Sequence, residues 1–331
     1  MKNTSKAAKF FIVCAVIFGI GLLTTILGAA FGGVDGFKKV ATERGWTYDG
    51  PGELVMDYSK QEDFNAVDVQ GDVDLYIVSE KSFKDKGWQK EHDLDDSIIE
   101  SALVTDSDAD PTDENGRFTP AAGCVLIAYG DKVEKPEIKV VKGVLHIDAE
   151  RDSINGINLD FSSVPVTPAV YVFCKDEELK NIKANTLSGD ISLYGITFGT
   201  ADITSASGDT LMKDVDGETV TLNLMAGDAK VTGNVSKNSS LKVVDGDVDM
   251  SGKFLGITDI DSTSGDVDFN SELGSDKYAL NISAVAGDVN FAEGDTRESF
   301  DEIPVNIERK GGPNTLKIEA TSGDIDLSFG K

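Results

Sequence analysis

Residues 187–269 read LSGDISLYGITFGTADITSASGDTLMKDVDGETVTLNLMAGDAKVTGNVSKNSSLKVVDGDVDMSGKFLGITDIDSTSGDVDF. Gly-Asp pairs fall at Gly189-Asp190, Gly208-Asp209, Gly227-Asp228, Gly246-Asp247 and Gly265-Asp266, each 19 residues after the last. Gly287-Asp288 and Gly323-Asp324 follow after 22 and 36 residues, intervals that read as insertions into loops. The neighbours of each pair keep step. Two and four positions after the glycine stand Ile191 and Leu193, Ala229 and Val231, Val248 and Met250, Val267 and Phe269, Val289 and Phe291, Ile325 and Leu327. That period of two belongs to a strand with one buried face. Five positions before the glycine stand Ile203, Leu222, Leu241, Ile260, Ile282 and Ile318. Inward positions are odd before the glycine and even after it, so the chain turns a corner there. Glycine permits the backbone such a corner needs, and Asp can bond neighbouring amides. Phe198, Val215, Val235, Phe254 and Leu273, seven to nine places on, suggest a third side to each coil.

One coil buries too few side chains to offset the entropy of ordering its backbone; stacking on its neighbours supplies the difference. The expected fold is therefore all-β: a parallel β-solenoid, β-helix-like, of about 19-residue coils over residues 181–331, with successive rungs in register. Separate antiparallel hairpins would show alternating strands joined by two-residue turns. Residues 61–180 read as the irregular start of the same body. FNAVDVQGDVDLYIV (64–78) carries Gly71-Asp72 with Val73 and Leu75 in the inward slots, and CVLIAYG (124–130), EIKVVKGVLHIDA (137–149) and AVYVFC (169–174) read as further strands. Between them, residues 91–116 hold ten acidic residues and no Lys or Arg, a solvated loop.

At the other end, residues 10–34 carry no charge across 25 positions, long enough to cross a bilayer as one transmembrane helix. Residues 1–34 are thus a membrane anchor, or a signal peptide cut near Gly28-Ala29-Ala30, and 35–60 a linker. A first and only apolar segment before a large acidic body places that body outside the cell membrane. The 331 residues hold 58 Asp and Glu against 31 Lys and Arg, a net charge of −27, which argues against nucleic acid as a partner. The expected partners are the membrane, through residues 10–34, and other envelope or membrane proteins.

The segments KVVKGVLHIDAE, INLDFSSVPV, LKNIKANTLSGDISL and the repeated SGDVDF and AGDVNF resemble the DUF4097 family, whose label is "putative adhesin" and whose members include LiaG-like bacterial cell-envelope proteins. The resemblance covers about residues 60–331. It implies a β-solenoid, often tethered to the membrane of a Gram-positive-type envelope. It implies no enzyme activity and brings no catalytic or binding residues with it.

The candidate sites come from the columns that stacking would create. Asp190, Asp209, Asp228, Asp247 and Asp266 would align one per coil, about 4.8 Å apart. Adjacent carboxylates would repel by about 0.9 kcal/mol in water. Solvent and turn amides can offset that; so can a ladder of calcium ions, which suit hard oxygen ligands. Asp106, Asp108 and Asp110 begin like an EF-hand loop, but Pro111 and Arg117 stand where glycine and the bidentate glutamate belong. Cys124 and Cys174 could form a disulfide outside the cell, or stay buried singly. No catalytic constellation emerges: His92 and His146 lie far apart in sequence, no H-E-x-x-H, G-x-S-x-G or P-loop is present, and Ser239-Ser240-Leu241-Lys242 lacks the motifs that accompany S-x-x-K. The expected function is a non-enzymatic extracytoplasmic envelope scaffold or interaction surface linked to cell-envelope stress. The alternatives are an adhesin binding a surface or matrix ligand, and a polysaccharide-cleaving enzyme.

Overall fold

The alternation around each Gly-Asp pair becomes two strands meeting at a corner. The computed structural model describes residues 52–84, 103–105, 119–149, 167–175 and 179–330. The fold is all-β, one long, mostly parallel open sheet wound into stacked coils, in the manner of a solenoid. The stagger is 19 residues: Ile203 stands opposite Leu222, Leu222 opposite Leu241, and Leu241 opposite Ile260. These side chains are fully buried. The third side is present too. Phe198, Val215, Val235 and Phe254 are buried, and Leu273 packs against the core. On two coils the strand runs unbroken from one corner to the next, as Thr210–Ala226 and Ala229–Asp245, bending at bulges between Met212 and Val215 and between Gly217 and Thr219.

Both ends depart from sequential stacking. Ile257–Ser264 and Val267–Ser271 pair with Asn314–Ser322 and Ile325–Phe329, and only beyond those lie Tyr278–Ala286 and Val289–Glu293. The expectation of rungs in sequence order is corrected here: the last coil of the chain lies between two that precede it. The other end does the same. Ala66–Gly71 and Asp74–Ser79 lie between Val144–Ala149 with Ala169–Cys174 on one side and Leu179–Thr186 with Ile191–Tyr194 on the other. The long interval before Gly323 is not a plain loop. It holds Thr296–Phe300 and Val305–Arg309, which pair antiparallel with Val289–Glu293 and Tyr278–Ala286.

Antiparallel strands therefore close both ends. Glu137–Val141 and Cys124–Gly130 close the first, with Leu54–Lys60 pairing antiparallel to the latter. There a second small core forms on the sheet's outer face from Met56, Tyr58, Val78, Phe83, Leu126 and Phe173, which is why AVYVFC is buried on both faces. At the other end Phe254, Phe269, Tyr278, Phe291 and Phe329 pack ring on ring, and the Tyr278 hydroxyl donates to the Phe254 carbonyl at 3.0 Å. The acidic stretch 91–116 lies outside the described residues except for Leu103–Thr105, which pairs with Leu54–Lys60. The expected membrane segment 10–34 also lies outside them. Among the described residues, no helix is long and apolar enough to cross a membrane.

One interior pair is imperfect. Ser239 and Thr258 are ladder partners, both buried, and among the described residues neither hydroxyl finds a hydrogen-bond partner. An unpaired buried hydroxyl carries an uncompensated desolvation cost. Thr258→Val, nearly isosteric, should raise the unfolding free energy by about 1 kcal/mol. Urea denaturation should show a higher midpoint at unchanged slope; a lower midpoint would mean the hydroxyl has a role.

Candidate functional site

The corner is built from backbone before side chains. Gly189, Gly208, Gly227, Gly246 and Gly265 all have φ between +121° and +147°. A Cβ on Gly227 would lie 2.2 Å from the Gly208 carbonyl oxygen, and one on Gly246 equally close to that of Gly227. Conformation and close approach both demand glycine. From Gly208 onward each glycine amide donates to the next coil, Gly227 to the Asp245 carbonyl and Gly246 to that of Ser264, both at 3.0 Å.

The aspartates finish the corner. Asp190, Asp209, Asp228, Asp247 and Asp266 form one exposed column, joined in space by Asp324 and then Asp288. The backbone amide of each donates to the carboxylate of the one before, at 2.8 Å from Asp209 onward. Each carboxylate thus replaces the main-chain acceptor that the bend removes. At its start the column runs to Asp74, whose carboxylate accepts the Asp190 amide at 3.0 Å. Gly71-Asp72 is not the equivalent pair: Leu75 stands opposite Ile191, so Val73 and Asp74 hold the places of Gly189 and Asp190, two residues further on. Asp72 caps instead, accepting the amides of Leu187 and Ser188. Val73 and Leu75 are both buried, but the two inward slots after the corner are filled by Leu75, opposite Ile191, and Ile77, opposite Leu193, rather than by Val73 and Leu75.

A second acidic column lies two residues on. Asp268 stands between Asp249 and Asp326. Lys230 donates to Asp249 at 2.6 Å and Asn290 to Asp326 at 2.8 Å. Partial burial raises the Asp268 carboxyl above its ordinary range, helped by the charges of Asp326, Asp249, Asp266 and Asp247. Among the described residues, no group of three or more His, Cys, Asp or Glu side chains is arranged to hold a metal ion.

Cys124 and Cys174 are close in the sheet but not bridged. Their strands are antiparallel neighbours, with Cys124 opposite Phe173. That one-residue offset sends the two side chains to opposite faces: Cys124 into the small core beside Tyr58, Cys174 into the main core. Both are free and buried, and burial pushes the Cys174 thiol up to about 12.

The outward position two before each glycine was not singled out in the sequence. Stacking brings Leu187, Ala206, Met225 and Val244 into one continuous apolar stripe beside the aspartate column. Leu187 is 70% exposed, Met225 64% and Val244 49%. Small Ala206 between Leu187 and Met225 leaves a notch, part of an open cleft of about 540 Å³ that Asn185, Thr204 and Asp72 also line. Three large apolar side chains in one exposed column are unusual on a solvated surface.

The family model described as Toastrack DUF4097 matches residues 131–328, which include the whole corner column from Asp190 onward. No curated protein matches the sequence. Among solved structures, the chain is similar to a "putative adhesin" from Bacteroides fragilis NCTC 9343, at 13% identity over 84% of this chain and 99% of that one, TM-score 0.43. It is similar to a second "putative adhesin", from Parabacteroides distasonis ATCC 8503, at 13% identity over 85% and 99%, TM-score 0.32. A "putative cell adhesion protein" from Clostridium sporogenes ATCC 15579 is 12% identical over 84% and 99%, TM-score 0.26.

Two substitutions test the column. Asp228→Ala leaves the Asp247 amide without its acceptor and should cost about 1–2 kcal/mol, while Asp228→Asn keeps an acceptor oxygen and should cost less than half of that. Equal losses would mean that charge, not the acceptor, matters. Asp268 makes a pH-dependent case. Its folded-state pKa is raised, so its ionisation disfavours the native state above that pKa. Asp268→Asn should therefore stabilise at pH 7, by roughly 0.5 kcal/mol for so exposed a group. The gain should vanish below the unfolded carboxyl pKa, where both states are protonated. A gain that persists at pH 2.5 would exclude the electrostatic cause.

Proposed function

The chain belongs to the Toastrack DUF4097 family, and on that premise we propose that it is a non-enzymatic envelope protein whose stacked-coil body serves as a scaffold and interaction surface outside the cell membrane, held there by residues 10–34 and linked to cell-envelope stress. The observation that carries this is the stripe of Leu187, Ala206, Met225 and Val244. Its side chains are spent on nothing within the described fold, they lie in line on a rigid corner, and they sit beside a column of carboxylates. An exposed apolar stripe rimmed by charge is the usual form of a surface kept for a macromolecular partner. The column's own chemistry supports the same view. Its carboxylates accept backbone amides, so their regular placement is accounted for by the fold rather than by a reaction.

A photo-crosslinking residue placed at Met225 of the full chain in living cells tests this, with the same residue at Thr221 on the flat face as control. The expected outcome is a discrete adduct with an envelope or membrane protein from position 225 and none from 221, stronger under envelope-active antibiotics. Crosslinks to neither, with the purified body binding a matrix ligand, would favour an adhesin. Release of sugar from a polysaccharide panel would favour an enzyme.

A further inference from the structure

Residues 314–329 form a wedge between two coils that adjoin in sequence. On one side they pair in parallel with residues 257–271, on the other with residues 278–293. Both walls repeat the pattern of the wedge: Ile318 lies between Ile260 and Ile282, Ile325 between Val267 and Val289, and Leu327 between Phe269 and Phe291. The corner is stitched on both sides as well. The Asp324 amide donates to Asp266 and the Asp288 amide to Asp324, both at 2.8 Å.

The link into the wedge is short and tight. Arg309 stands opposite Leu280 on one side of Tyr278–Ala286, and Asn314 opposite Tyr278 on the other. Lys310-Gly311-Gly312-Pro313 must carry the chain around the end of that strand. A Cβ on Gly311 would fall 1.6 Å from the Tyr278 carbonyl oxygen, and one on Gly312 2.6 Å from the Lys277 Cα. The closed crossing thus depends on two positions without side chains. Nothing in the slot or the wedge depends on them. Opening the link leaves a slot and a coil that still fit, in separate places.

We infer that residues 314–329 are an exchangeable coil, and that the partner its slot accepts is a second copy of this chain, each copy's coil filling the other's slot. The slot requires an incoming segment with two parallel strands, inward apolar residues at these spacings and a Gly-Asp corner. Another copy supplies all of these by identity. The mid-body coils share the pattern, but Thr210–Ala226 and Ala229–Asp245 run on from corner to corner and cannot leave singly. A short, tight crossing is where exchange between copies begins. The inference is independent of the proposed envelope role.

The test uses the full chain in detergent carrying Ser264→Cys and Ser322→Cys. These positions are exposed ladder partners, about 4.8 Å apart as adjacent strands are, inside the roughly 4.4–6.8 Å that a disulfide spans. With Gly311 intact and refolding dilute, the bond should form within one chain. Adding Gly311→Val should shift most of it to between chains, seen at twice the mass on a non-reducing gel. If Gly311→Val does not fold, the Gly311 form refolded at rising concentration keeps the question open to measurement, and its interchain fraction should rise severalfold from 1 to 100 μM on the order expected for exchange. Intrachain bonds alone at every concentration, or a dimer whose disulfides are all intrachain, would overturn the inference.

Discussion

The structure depends on one hydrogen bond repeated: the backbone amide of each corner aspartate donating to the carboxylate of the aspartate one coil earlier. A parallel ladder satisfies main-chain groups only while strands run straight. At a sharp corner one amide per coil loses its carbonyl, and a buried or half-buried amide without an acceptor is costly. A side chain one residue past the bend supplies the missing oxygen, and only a short acceptor reaches. Glycine before it lets the carbonyl of the adjoining coil come within the distance that a Cβ would occupy. Glycine and aspartate thus solve two halves of one problem, and the 19-residue interval is the perimeter around which it recurs.

This arrangement also accounts for a column of like charges that would otherwise repel. From Asp190 to Asp324 each carboxylate has an N–H dipole aimed at it, and each is open to water. The second column shows what happens without such donors. Asp249 has Lys230 and Asp326 has Asn290, while among the described residues no side chain donates a hydrogen bond to Asp268 between them; partial burial pushes its carboxyl up, and the neighbouring carboxylates add to that. Net charge alone does not distinguish the two columns; the direction of nearby donors does.

The coil, its corner and its third side were legible because each residue's role repeats every 19 positions, so that Ile203, Leu222, Leu241 and Ile260 report the same slot independently. The aspartate column was legible for the same reason. What escaped was information that does not repeat. Asp74 takes the place expected of Asp72 because the pairing of that coil is shifted by two residues, which no periodicity reveals. Cys124 and Cys174 lie on adjacent strands, but a disulfide depends on which face each meets, and a one-residue offset decides that. The stripe of Leu187, Met225 and Val244 was present in the repeat, at an outward position where apolar residues carry no weight for the fold.

Coil order was the hardest to see, and the reason is physical. Every coil offers its neighbours the same ladder, the same buried columns and the same corner, so stacking energies between coils are nearly degenerate. The edge breaks that degeneracy. An open parallel edge exposes unpaired amides and carbonyls and invites further strands. Thr296–Phe300 and Val305–Arg309, rich in charge and paired antiparallel, cover that edge but cannot pass a parallel coil on through themselves. The coil that carries them must therefore be outermost, wherever it falls in the chain, and residues 314–329 have only the place beneath it. Glu137–Val141 and Cys124–Gly130 impose the same condition on Val144–Ala149 and Ala169–Cys174, and Ala66–Gly71 and Asp74–Ser79 lie beneath those. Two unrelated stretches of sequence thus arrive at one topology because a stack of equivalent coils can end only in strands that refuse the next one.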